Sequence, residues 1–253
     1  MRRSTAKSFR IDTRRRTVVA WGMKRLTAAV VLACTLLLPP GARADVPRGT
    51  VTGIPLDAPW KATVYELAQT KFKHPAWGWQ HSERDYRLAV EVANGDRLAV
   101  DTDVLFAAAF LHDMAAFAPY EKKGMEHGDR AAETSEAVLR DAGFPMRKYP
   151  AVQAAERGHM YYSNAGTVPE AIALHDADSL DFLGSIGALR ILALTGEDKP
   201  DATRAVKTLR GFVKDIPPKL ITATAKRMGA ERAAELTRLL DQVQAETYGG
   251  TAT

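Results

Sequence analysis

The stretch LFAAAFLHDMAAF, Leu105 to Phe117, decides how this chain is read. It is apolar almost from end to end, and its only strongly polar side chains, His112 and Asp113, are adjacent. An ionised aspartate inside such a run is costly unless something pairs with it. A core histidine bonded to a neighbouring acid is one answer. A metal ion is another. Neutral imidazole and carboxylate together suit Fe, Mn, Co, Ni or Zn, and the cation neutralises the buried acid. One ion needs more ligands than these two.

Working outward, the pattern is helical nearly throughout, read from 3.6-residue periodicity and Gly/Pro punctuation. Helices are predicted from Asp57 or Pro59 to Lys73, and from Gln80 to Ala93 after a Trp77-Gly78-Trp79 turn. Next come Asp101 to Phe117 with an aspartate cap, Glu126 to Ala142 ending at Gly143, and Pro145 to His159. One long helix is expected from Pro169 to Thr195, another from Asp201 to Lys214, and a last from Lys219 to Thr247 with a break near Gly229. Strand signals are nearly absent. The expected fold class is an all-α helical bundle.

Partners for His112 and Asp113 are available on both sides. His81 opens the preceding helix, with Arg84 one turn later on the same face. Downstream, PEAIALHDADSLDFLGSIGALRIL is apolar on most sides yet carries Asp176, Asp178 and Asp181. Three acids on one buried helix raise the burial question again. His81, His112, Asp113 and one of those acids thus come from three separate helices, and bundle cores are where such ligands converge. His127 and His159 begin and end two intervening helices, where a side chain can reach into a site mouth. A second His-Asp pair, His175-Asp176, shows that the dipeptide alone is a poor signal.

The N-terminus changes the charge argument. Met23 to Asp45, MKRLTAAVVLACTLLLPPGARAD, has the three parts of a secretory signal. Lys24 and Arg25 form the charged start. Thr27 to Leu38 form an apolar run too short to span a bilayer comfortably, and Ala42-Arg43-Ala44 is a small-x-small cleavage site. Residues 1–22 read as sequence upstream of an initiator at Met23. A secreted or periplasmic chain beginning at Asp45 is expected. A lipoprotein box at Cys34 fits less well, because apolar residues continue beyond it, and an uncleaved anchor is a further alternative. Residues 1–44 hold ten of the 35 Lys/Arg and one of the 30 acids, so the formal +5 of the whole chain becomes about −4 for residues 45–253. The basic balance therefore belongs to the leader and does not argue for a nucleic-acid polymer as partner. The single cysteine, Cys34, leaves with the leader, so the remaining 209 residues use no disulfide. They are enough for one domain with a full core, with no membrane span after the leader.

The order H…HD…D in an all-helical chain resembles the HD-domain superfamily of metal-dependent phosphohydrolases. The likeness runs from about Lys71 to Glu246. WGWQHSERDYRLAVEVA is similar to the family's first-histidine helix, and DVLFAAAFLHDMAAF to its HD helix. PEAIALHDADSLDFLGSIGALRIL resembles the distal-aspartate helix. KLITATAKRMGAERAAELTRLLDQVQAE resembles the closing helix of a bacterial subgroup of HD hydrolases. The resemblance implies His81, His112, Asp113 and Asp178 as metal ligands and catalytic centre, with Asp178 the middle acid of its motif and His175-Asp176 a chance repeat. It also implies hydrolysis of a phosphoester, in a nucleotide or small phosphorylated metabolite, by a metal-activated hydroxide. Some branches of the family hold two metals with two extra histidines, and His127 and His159 stand in that interval. The cofactor is then one or two divalent ions of Mn, Fe, Co, Ni or Zn. The signatures of cyclic-dinucleotide and alarmone hydrolases are absent. A di-iron oxygenase on the same scaffold, or a non-catalytic metal- or nucleotide-binding module, are the alternatives.

For a phosphate the sequence offers cations without a code: Arg84, Lys122 and Lys123 in the loop after the HD helix, Arg130 near His127, and Arg157 near His159. Arg84, one turn from His81, is the first choice. Trp77, Trp79, Tyr161 and Tyr162 offer ring faces, though such aromatics more often serve packing. Nothing in the sequence specifies the oligomeric state.

Overall fold

The computed structural model describes residues 48–197 and 202–248. The expected leader, its cleavage site at Ala44 and Cys34 lie outside the described residues. The described residues form an all-α bundle of nine helices with no strand, only an isolated antiparallel bridge between Gly49 and Pro55. The helices are α1 (Pro59–Lys71), α2 (Trp79–Asp96), α3 (Thr102–Leu111), α4 (His127–Ala142), α5 (Tyr149–Gly158), α6 (Pro169–Asp181), α7 (Gly184–Glu197), α8 (Ala202–Asp215) and α9 (Ala223–Glu246). None of them is long and apolar enough to cross a membrane.

The greasy stretch is the centre of the molecule. Every residue of α3 from Val104 to Leu111 is buried. Asp101 caps it, its carboxylate accepting from the Asp103 amide at 2.9 Å. A helix without a polar face has to be covered all round. Here α1, α2, α5 and α6 pack against it. On one side Phe106 and Phe110 stack at 4.5 Å, and Trp60 of α1 meets Phe106 edge-on at 5.5 Å. On the other, Leu105 joins a second apolar cluster with Leu88, Val92, Leu180, Leu183, Leu209, Ile216 and Leu236 from α2 and the C-terminal helices. Each such side chain contributes about 1.5–3 kcal/mol by leaving water, so packing rather than propensity holds α3.

Three predicted helices differ in where they stop or break. The HD helix was expected to run to Phe117, but α3 stops at Leu111. His112 caps it, Asp113 takes φ −97° and ψ 6°, and a short 3-10 turn follows over Met114–Ala116. The helix expected from Pro169 to Thr195 is two helices. The chain leaves α6 at Phe182 and restarts at Gly184, whose φ of +69° suits glycine. The last helix, by contrast, is not broken at Gly229. A Cβ there would lie 2.2 Å from Leu220 Cδ1, so this glycine serves close packing, not a bend.

Candidate metal centre

His81 is set by the turn before α2. Gly78 occupies the N-cap, and a Cβ on it would lie 2.5 Å from the His74 carbonyl oxygen and 2.9 Å from that of Phe72. Only glycine lets the chain turn there and aim the first turn of α2 inward. The end of α3 delivers His112 and Asp113 together, because Asp113 leaves helical geometry directly after His112. His127 opens α4, His159 caps the end of α5, and Asp178 lies in the buried last turns of α6.

These elements bring the six side chains to one place. His81 Nε2 is 3.4 Å from His112 Nε2 and 3.2 Å from Asp178 Oδ1. Asp113 stands between two groups of imidazoles. Its Oδ2 lies 3.3 Å from His112 Nε2 and 3.6 Å from His81 Nε2. Its Oδ1 lies 3.4 Å from His127 Nε2 and 3.8 Å from His159 Nε2, and the last two nitrogens are 3.0 Å apart. His81, His112, His159 and Asp178 are fully buried, whereas Asp113 keeps 14% of its side-chain exposure and His127 28%. The centre therefore opens on the His127 side.

A common arrangement fixes all four imidazoles. Each turns Nδ1 to an oxygen outside the cluster. His81 faces Asp181 Oδ2 at 2.8 Å, His112 the Ala109 carbonyl at 2.9 Å, His127 Glu126 Oε1 at 2.6 Å, and His159 the Glu156 carbonyl at 2.6 Å. A carbonyl oxygen only accepts, so Nδ1 of His112 and His159 carries the proton, and a neutral ring then offers its Nε2 lone pair to the centre. This is how metal-binding histidines are usually held. His175 differs, since both its ring nitrogens face backbone carbonyls, of Gly158 and Lys219. Asp176 accepts the amides of Ile221 and Thr222 at 2.8 Å each. That second His-Asp pair ties the start of α9 to α6.

Charge coupling follows from this crowding. Burial opposes the His112 cation, yet Asp113, with Asp85 and Asp178 behind it, raises His112 to about 10. Burial likewise opposes the Asp113 carboxylate, but His112 and then His81 and His159 hold it well below the usual range. His159 is pushed down to about 4 by burial and by the neighbouring His112 charge. A divalent cation would satisfy the same carboxylates without protonating any imidazole. Asp178 Oδ2 and both oxygens of Asp85 are buried without a hydrogen-bond donor, so the donor set fits such an ion.

Asp85, Asp181, Arg190 and Glu126 were not singled out as site residues by sequence reading, although Asp181 was one of the three acids weighed. Asp181 takes His81 Nδ1, two bonds from Arg84 Nε at 2.9 and 3.2 Å, one from Arg84 Nη2 at 2.9 Å and one from Arg190 Nη1 at 3.0 Å. Arg190 is buried, lies over the Phe182 ring and has Nη2 3.2 Å from His81 Nε2. Glu126 caps α4 through the amides of Gly128 and Asp129 while it holds His127. The only available signal for Asp85 was its spacing, four residues after His81 on one helix face.

The candidate phosphate contacts sit as follows. Arg84 is committed to Asp181 but is 30% exposed and borders a cavity of about 570 Å³ with Lys73, His74, Trp79, Gln80 and His81. Lys122 and Lys123 are exposed. Arg157 lies 3.7 Å from Asp129, and Arg130 bonds the Tyr120 carbonyl and Glu133. Among the aromatics, Trp77 stacks on His74, Trp79 meets Tyr65 and Tyr161 meets Phe182 and Phe212. Tyr162 is 55% exposed, with its hydroxyl 3.3 Å from Glu126 Oε1.

Comparison with known proteins bears on the domain and the fold. The family model of the HD domain matches residues 78–183, a shorter span than the expected Lys71 to Glu246. A comparison with curated proteins returns no match. Among solved structures, a Lactobacillus plantarum protein superposes with a TM-score of 0.60 at 22% identity, covering 76% of this chain and 98% of its own. Bacillus subtilis YpgQ in complex with ADP gives 0.59 at 18% identity, covering 75% and 98%. A predicted HD superfamily hydrolase from an uncultured Thermotogales bacterium gives 0.53 at 23% identity, covering 74% and 91%. At these identities the likeness speaks for the fold. Residues 78–183, which contain all six converging side chains, are the stretch that matches the HD domain.

Proposed function

We propose that the chain is a metal-dependent phosphohydrolase acting on a small phosphorylated substrate. The observation that carries this reading is the placement of Asp113, one carboxylate oxygen toward His81 and His112 and the other toward His127 and His159. A carboxylate so placed would serve as a ligand together with either pair of histidines. Divalent ions, if held there, would supply a hydroxide nucleophile at neutral pH and positive charge for the phosphoryl oxygens.

The chain's own residues prepare that chemistry. Asp178 and the Nε2 atoms of the four histidines would hold the ions, with Asp113 between them. Arg84 and Arg190 fix Asp181, and Asp181 fixes the ring of His81. Glu126 does the same for His127 at the exposed side. Tyr162, next to Glu126, offers a ring face to an incoming substrate, and Lys122, Lys123 and Arg157 remain candidate phosphate partners. A nucleotide is a reasonable first substrate class, since YpgQ is seen with ADP and a base can stack on an exposed tyrosine.

The test is a phosphoester panel of nucleoside mono-, di- and triphosphates, sugar phosphates and p-nitrophenyl phosphate, run with Mn, Co, Fe(II) or Ni. Phosphate release that needs added metal and stops with chelator is expected. No release with any pairing would refute hydrolysis. The six-donor set also favours a second reading, a di-iron oxygenase. Oxygen consumption by the reduced, iron-loaded chain would select that reading.

A further inference from the structure

Asp85 is out of place for an α2 that packs on its neighbours by apolar contact. It lies one turn after His81 on the buried face that continues through Ala89 and Val92. It is fully buried, and neither of its oxygens receives a hydrogen bond. A core helix position with these neighbours ordinarily carries an aliphatic side chain. An acid there needs a positive partner. The nearest groups are His81 Nε2 at 3.0 Å and His112 Nε2 at 3.6 Å from Oδ2. Single donor atoms of His81, Asp85, His112 and Asp178 all lie within 4.8 Å of one another.

We propose that Asp85 is a further ligand of the ion held by His81 and His112, so that the centre comprises two chemically unlike metal positions. This rests on the metal reading given above. The inner position has three carboxylates, Asp85, Asp178 and the shared Asp113, beside two imidazoles. The outer one has the shared Asp113 beside His127 and His159. Carboxylate-rich sets suit hard ions such as Mn²⁺, and imidazole-rich sets suit Zn²⁺, Co²⁺ or Ni²⁺. The inner position therefore retains Mn²⁺, and the outer one releases it first.

The test titrates metal-free protein with Mn²⁺ alone and reads stoichiometry, affinity and melting temperature for wild type, Asp85→Val and Asp85→Asn. Outer partners of metal ligands already cost about 10–100-fold in affinity when removed, so loss of a direct ligand should weaken the tighter Mn²⁺ site by at least that range. Asp85→Val should also melt higher than wild type without metal, because the unpartnered acid is gone, and gain less on adding Mn²⁺. Asp85→Asn, which keeps the shape, should show the same affinity loss in smaller degree and guards against misfolding of the valine variant. Either variant folding normally and binding Mn²⁺ with wild-type count and affinity overturns the proposal. A wild-type chain that binds no Mn²⁺ overturns it together with the metal reading. A chain that binds Mn²⁺ through Asp85 but hydrolyses nothing would refute only the phosphohydrolase reading.

Discussion

Asp113→Ala is expected to strip both metal positions and stop turnover while the bundle stays folded. Asp113 faces all four Nε2 atoms of the centre, so on the proposed reading its loss would remove a ligand from both ions at once. Removing a residue that merely orients a ligand costs about 10–100-fold in metal affinity, and a shared direct ligand should cost more. The metal-free protein should lose part of its stability, because the buried His112 loses the carboxylate paired with it, yet stay folded. Asp113 lies at the loop-facing end of α3, outside helical geometry, and keeps some solvent exposure. What disappears is the stabilisation that metal confers by binding only the folded state, about 4 kcal/mol when metal stands at a thousand times its dissociation constant. Metal analysis and thermal melts with and without Mn²⁺ check this. A variant that keeps two ions and full turnover would make Asp113 a structural acid.

Exchanging both His127 and His159 for alanine separates a two-metal enzyme from a one-metal enzyme with substrate-binding histidines. In the first case stoichiometry falls from about two ions to one. Turnover then drops on the order of 10²–10³-fold, the range for removing one group that stabilises transition-state charge. The ion held by His81, His112, Asp113 and Asp178 stays. In the second case the ion count is unchanged and KM rises or kcat falls. His159 is buried and its Nδ1 faces the Glu156 carbonyl, so the double variant also carries a packing cost. His127→Ala alone, at a half-buried position, gives the same readout without it.

Much of the architecture is legible in the residues because apolar periodicity and Gly/Pro punctuation report helices directly. The all-α class and the starts of α1, α4 and α6 follow from them. Helix ends inside apolar stretches do not. Nothing in MAAF after His112-Asp113 marks a stop, because the 3-10 turn there buries Met114 and Ala115 as a helix would. The break between α6 and α7 is set by the left-handed Gly184, which looks the same in sequence as Gly187 or Gly229. The site divides similarly. His81, His112, Asp113 and the acids of α6 stand out because polar groups are rare on apolar helices. Asp85 does not, because α2 is amphipathic and an acid on it reads as solvent-facing until packing shows which face is buried. Arg190 is hidden for the opposite reason, as a cation on a helix with an exposed side. The bonds from Nδ1 to Ala109 and Glu156 involve backbone carbonyls, which no side-chain pattern can report.

The central claim is that these side chains hold divalent ions, and anomalous diffraction from crystals grown with Mn²⁺ tests it most directly. The account predicts two peaks about 3.5–4 Å apart. One lies among His81, Asp85, His112 and Asp178, the other beside His127 and His159, with Asp113 between them. Well-ordered crystals in excess Mn²⁺ with no peak among these side chains would contradict it.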